Sequence, residues 1–148
     1  LPILEKDGYD FFAGVNVEVG NALYQYDQSR YGAEARFIIG KHIDKWLVSV
    51  NPIFGYQLSQ PYQSTAPNFS LAARVSREVT QDLALGVEYY SDVGALNQQI
   101  YYQQTGQAGF LMMYWDGKPF AFQAGVGKGF TQSTDSLTVK AIISVPLP

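Results

Sequence analysis

The stretch GYDFFAGVNVEVG, residues 8–20, alternates without a break. Tyr9, Phe11, Ala13, Val15, Val17 and Val19 are apolar, and Asp10, Phe12, Gly14, Asn16 and Glu18 stand between them. Successive side chains of a strand point to opposite faces, so this run makes a ribbon with one greasy side; on a helix the same residues would scatter around the axis. Whatever covers that greasy side decides what the chain can be.

The alternation recurs along the sequence. Tyr31, Ala33, Ala35, Phe37 and Ile39 form a second apolar face, and Trp46, Val48, Val50, Pro52, Phe54, Tyr56 and Leu58 a third. Phe69, Leu71, Ala73 and Val75 follow, then Leu83, Leu85, Val87 and Tyr89, then Ala108, Phe110, Met112 and Tyr114. Phe120, Phe122, Ala124 and Val126 make the seventh, and Leu137, Val139, Ala141, Ile143, Val145 and Leu147 the last. Eight strands are predicted, most of them roughly 9–12 residues long against an ordinary mode of about 5–6. KHIDK, VTQDL and WDGKPF read as tight turns, and longer polar segments alternate with them (NALYQYDQSR, SQPYQSTAP, ALNQQIYYQQ, TQSTDS). Short and long connections in alternation put all tight turns at one end of an up-and-down sheet. One domain over residues 1–148 is expected.

Two architectures share this period. A soluble up-and-down barrel turns its apolar face inward around a small hydrophobic ligand. A transmembrane barrel turns it outward to lipid. Charged residues are only 16% of the chain, against about 25% in ordinary soluble domains. The alternate face is rich in Gly, Ser, Asn and Gln rather than studded with Lys and Glu as a solvated surface would be. Aromatics fall at the two ends of the apolar face: Tyr9, Phe11, Trp46, Tyr114 and Phe120 by the tight turns, Tyr56, Phe69, Tyr89 and Phe130 by the long loops. Two aromatic belts around an aliphatic band match two membrane interfaces. Strands of about 9–11 residues, tilted, cross the hydrocarbon layer. The expected fold is therefore all-β, an eight-stranded antiparallel up-and-down transmembrane β-barrel.

Pro52 lies mid-strand without an N–H to donate, which predicts a bulge or a gap in pairing. Lys128 and Arg77 fall on the outward face near opposite rims, where they can snorkel to head groups. On the inward face, the register that pairs Val79 with Leu83 sets Arg74 opposite Glu88. A lumen polar network of Glu18, Glu34, Arg36, Arg74, Glu88 and Lys140 is predicted. Closure of eight strands would bring Glu18 towards Lys140 or Thr138.

Net charge is −3, so no basic footprint for nucleic acid is present. The chain has no Cys, which excludes disulfides and thiolate metal sites. His42, the one histidine, sits in a tight turn with no nucleophile nearby, so it reads as an exposed turn residue. GVGKGF, residues 125–130, lacks the spacing and the helix of a phosphate loop. No catalytic residue, metal or cofactor is expected. Tyr24, Tyr26, Tyr62, Tyr101, Tyr102, Gln103 and Gln104 in the long loops are a candidate recognition surface or a plain barrel rim.

With the strands placed, the chain resembles Gram-negative outer-membrane β-barrels, and within them the C-terminal portion of transporters grouped with the meta-pathway of phenol degradation. The residues that carry the resemblance are SLAARVSREVTQDLALGVEYYSDVG and FAFQAGVGKGFTQSTDSLTVKAIISVPL. The resemblance implies a porin-like or hydrophobic-solute transport role in the bacterial outer membrane, with membrane lipid, lipopolysaccharide and a small apolar solute as partners. It implies no catalytic residue. Such proteins are longer, and they commonly end in an aromatic residue where this chain reads VPLP. The alternatives are a soluble barrel around a hydrophobic ligand and a non-conducting barrel subunit or anchor of a cell-surface assembly.

Overall fold

The computed structural model describes residues 11–21, 31–59, 66–98 and 101–145. Eight strands follow in chain order: β1 Phe11–Asn21, β2 Tyr31–Ile43, β3 Trp46–Gln57, β4 Asn68–Glu78, β5 Leu83–Ala95, β6 Gly106–Asp116, β7 Ala121–Gly129 and β8 Thr138–Ser144. They form one sheet in the order β1-β2-β3-β4-β5-β6-β7-β8. Each strand is antiparallel to the next. Among the described residues, β1 and β8 pair only with β2 and β7, so each keeps one free edge. The connections after β2, β4 and β6 are short turns, and in the first of them Asp44 takes a left-handed backbone with φ 52°, a conformation Asp tolerates better than most residues. β8, at 7 residues, is shorter than the alternation over residues 137–147 predicts.

The ladder sorts the side chains. Directly opposed residues in an antiparallel pair share a face, so Glu88 opposite Arg74 and Phe110 fixes one face through β4, β5 and β6. We call it the inner face. It carries Asn16, Glu18, Glu34, Arg36, Ser49, Asn51, Arg74, Ser76, Glu88, Tyr90, Met112, Tyr114 and Lys140. The outer face carries Val15, Val17, Val19, Phe37, Val48, Phe54, Val75, Leu85, Val87, Leu111, Val126, Val139 and Ile143. The inner face is the concave one. Lys140 on β8 touches Glu88 on β5, although three strand spacings amount to roughly 14 Å in a flat sheet. Only a sheet coiled towards that side brings the two side chains together.

Curvature needs small residues inside. A Cβ on Gly125 would run into Met112 Sδ, and one on Gly127 into the Phe110 ring. These glycines on β7 are the hollows that seat Met112 and Phe110 from β6. Met112 and Tyr114 are the buried apolar residues, at 3% and 7% exposure. The outer face stays open, with Val19 at 75% and Val139 at 76%.

Two irregularities have local causes. The β2–β3 ladder passes from Arg36 opposite Ile53 to Ile39 opposite Val50, skipping the pairs that Asn51 and Pro52 would make. The missing N–H of Pro52 explains the gap, and the ladder on the β4 side runs through it unbroken. Between β4 and β5 the register shifts at Phe69/Ser70. Phe69 then faces Gly94 and Ser70 faces Asp92, which leaves Val93 as the extra residue of a bulge.

One expectation is corrected. Ala108, Phe110, Met112 and Tyr114 were expected to point outward, with Tyr114 in an aromatic belt. Their face is the inner one, and Leu111, Met113 and Trp115 point outward instead. β6 is apolar on both sides, so its own alternation carries no sign. The WDGKPF turn settles it by pairing Trp115 with Phe122.

Gly86→Ala tests the packing. Its Cβ would lie 2.5 Å from Val75 O and 2.8 Å from Ser76 Cα, both backbone atoms that cannot swing away. The expected loss is about 1–3 kcal/mol in a urea unfolding experiment. Gly20→Ala, with nothing within 4 Å of the new methyl, should stay within about 0.5 kcal/mol of the parent protein.

Candidate functional site: the inner-face charge cluster

Four strands supply one cluster. Lys140 Nζ donates to Glu88 Oε2 at 2.7 Å and to Tyr90 Oη at 2.7 Å. Tyr90 Oη donates to Glu88 Oε2 at 2.6 Å, and Tyr114 Oη donates to Glu88 Oε1 at 2.8 Å. The carboxylate thus accepts three hydrogen bonds, and its side chain is 9% exposed. Arg74 lays its guanidinium over the Tyr114 ring, Cζ 3.4 Å from the centroid, and donates from Nε to Ser76 Oγ at 3.1 Å. Phe110 stands edge-on to Tyr90.

Alternation explains the gathering. Glu88 and Tyr90 are two apart on β5 and so share a face. The facing glycines of β7 leave space for longer neighbours. Lys140 sits opposite Gly125, where Met112 takes the bare position, and its amine reaches across β7 to Glu88 on β5.

The predicted polar network is divided in two. Arg74, Glu88 and Lys140 belong to this cluster. Arg74 does stand opposite Glu88 in register, yet the acid turns to Lys140 and the tyrosines while the guanidinium stacks on Tyr114. Glu34 and Arg36 form a second group on β2, Nη2 to Oε1 3.0 Å, with both side chains well exposed. Glu18 faces Glu34 across the β1–β2 ladder, accepts from Asn16 Nδ2 at 2.9 Å, and is exposed. It does not approach Lys140, which is engaged on β5. Arg36 Nε and Asn51 Oδ1 are buried without a hydrogen-bond partner among the described residues, beside the gap at Pro52.

Of the aromatics assigned to the two belts, Tyr114 points inward. Phe11, Trp46, Tyr89, Phe120 and Phe130 are exposed on the outer side, and Tyr56 and Phe69 are half-buried there. Arg77 lies over the Trp46 ring at 5.6 Å. Tyr9 lies outside the described residues. His42 is exposed near the short-turn end, its ring tilted against Phe12. Tyr101 and Tyr102 are exposed, and Tyr102–Gln104 forms a single 3₁₀ turn. Tyr24, Tyr26 and Tyr62 lie outside the described residues.

A lock at the long-loop end escaped the sequence reading. Gln107, 4% exposed, donates to Ser91 Oγ at 2.8 Å and Thr105 Oγ1 at 2.9 Å, and accepts from the Tyr89 hydroxyl. The loop after β7 closes over it: Thr131 Oγ1 donates to Thr105 O at 2.7 Å and Thr134 Oγ1 to Gln107 O at 3.0 Å. The local signal was the threonine pair of TQST, whose hydroxyls bond backbone groups in turns.

Chemically, the cluster is a set of satisfied charges. The carboxylate accepts three hydrogen bonds, and among the described residues no Cys, Ser nucleophile or imidazole touches it. Among the described residues no group of His, Asp and Glu is arranged to hold a metal ion. The side chains tie β5, β6 and β8 across the concave face and occupy the space there. No family model, curated protein or solved structure matches the chain.

Glu88→Gln removes the anion that balances Lys140. A loss on the order of 2 kcal/mol is expected in urea unfolding. Glu34→Gln, at an exposed pair, should cost under about 1 kcal/mol. A double-mutant cycle of Glu88→Gln with Lys140→Met should return a coupling energy clearly above that of Glu34 with Arg36.

Proposed function

We propose that the chain is an outer-membrane β-barrel, porin-like or transporter-like in build, whose outer face meets lipid and whose lumen is filled by its own polar side chains. The observation that carries this reading is the partition of charge. Every charged strand residue on the outer face is basic (Lys41, Arg77, Lys128), and the strand carboxylates Glu18, Glu34, Glu78, Glu88, Asp92 and Asp116 are on the inner face. The three cations stand near strand ends, with exposed Val, Leu, Ile and Phe between them. Soluble monomers rarely expose apolar area on that scale, whereas acyl chains require it, and lipid phosphates favour cations at both interfaces. A soluble ligand-binding barrel would turn its oily side inward, and here the concave side holds ion pairs.

In lipid an unpaired strand edge leaves N–H and C=O groups unsatisfied at several kcal/mol each. The free edges of β1 and β8 must therefore be closed in the membrane. An even number of up-and-down strands makes β1 and β8 run in opposite directions, so they can close antiparallel on each other. Because neither has a second partner among the described residues, a second reading is also favoured: the sheet is one arc of a wider barrel completed by other strands.

Cysteine cross-linking separates these. Val139→Cys combined in turn with Val15→Cys, Val17→Cys and Val19→Cys should give an intrachain disulfide for one pair in reconstituted protein. Cross-links between chains, or none, would favour the wider barrel. Brominated acyl chains should quench Trp46 and Trp115, both on the outer face. A protein that is monodisperse without detergent and unquenched in vesicles would overturn the membrane reading. An interior of eight strands is just wide enough for its side chains, so planar bilayers should stay silent after verified insertion, and large conductance steps would refute a filled lumen.

A further inference from the structure

On the outer face the rows of side chains are interrupted at Gly109. Val87, Leu111 and Val126 stand side by side across β5, β6 and β7. One step towards the long-loop end, the next row is Tyr89, Gly109 and Lys128. Beside Gly109 lies a trough of about 420 Å³, walled by Phe130 and Leu137 and floored by Val87, Leu111 and Val126. That volume is in the range of small-ligand sites. A methyl on Gly109 would meet the Phe130 ring at 2.9 Å, so the ring packs against the bare backbone there and forms one wall of the trough. Lys128 borders the trough, is exposed, and has no ion pair among the described residues. It is the one outward strand cation at this end, since Lys41 and Arg77 lie by the short turns.

We infer that this trough is a seat for one anionic membrane lipid, with an acyl chain laid along Val87, Leu111 and Val126 beside the Phe130 ring and the head-group phosphate on Lys128. The inference rests on the outer face meeting lipid. The occupant follows from charge and shape together. A wholly apolar hollow would take any acyl chain. A lysine at its mouth, where the apolar band ends, selects a negative head group at the depth where head groups lie. The inner-face cations are already engaged with Glu88, Glu34 or the Tyr114 ring, so Lys128 is the free charge beside an apolar hollow.

The full chain in vesicles with spin-labelled lipids tests the seat. A motionally restricted lipid component should prefer phosphatidylglycerol over phosphatidylcholine by about fivefold, the factor expected for one basic residue near the membrane surface, and the preference should weaken with added salt. Lys128→Gln should abolish the preference while leaving restricted phosphatidylcholine unchanged. Gly109→Leu, whose side chain must displace the Phe130 wall, should lower the phosphatidylglycerol preference with Lys128 still present. Lys41→Gln, at the other rim, should lower the preference far less than Lys128→Gln. Equal retention of the two lipids by the parent protein, or an unaltered preference in Lys128→Gln, would overturn the seat. Trp46 and Trp115 quenching by brominated chains is read in the same vesicles. Quenching without preference sinks the seat alone, and absence of quenching sinks the membrane reading with it.

Discussion

The contact between Lys140 and Glu88 is the constraint on which the rest of the structure turns. It spans from β8 to β5, so it can exist only if the sheet coils towards the face that bears both groups. Coiling then defines inside and outside for every strand, because the pleat alternates strictly. Among the described residues, valines and isoleucines on the convex side are left exposed. The same contact places an ionised pair where water is scarce, and the three hydrogen bonds to Glu88 offset the desolvation of the carboxylate.

Small residues make that coil physically possible. Gly86, Gly125 and Gly127 line the inner face where Ser76, Met112 and Phe110 must come close. Arg74 stacks on Tyr114, and the Lys140 amine reaches across β7 to Glu88. On the outer face Gly109 likewise seats a ring, that of Phe130. A trough lies alongside that ring, bordered by Lys128.

Much of this could be read along the chain. The strand positions follow from the period of two, and the opposition of Arg74 and Glu88 follows from the VTQDL turn alone. Pro52 announced its gap because it lacks a donor. What failed was β6, where Ala108, Phe110, Met112 and Tyr114 alternate with residues as apolar as themselves. Periodicity is silent there, and the parity of the WDGKPF turn was the better guide. The charge partners also escaped. Sequence pairs Arg74 with Glu88 by register, but side-chain choice depends on neighbours from β6 and β8 that register on β4 and β5 cannot see. The threonine lock over Gln107 was hidden for the same reason, since it joins residues far apart in the chain.

By itself, then, the amino-acid order determined that this is a meander of long antiparallel strands with one apolar and one mixed side, because the two-residue period admits no other regular backbone. Only the tertiary structure decided which side is concave, which of the charged residues meet, and that β1 and β8 keep free edges among the described residues. Those outcomes depend on curvature, and curvature is a property of the whole sheet, set by where bare glycines and long side chains from different strands happen to come together.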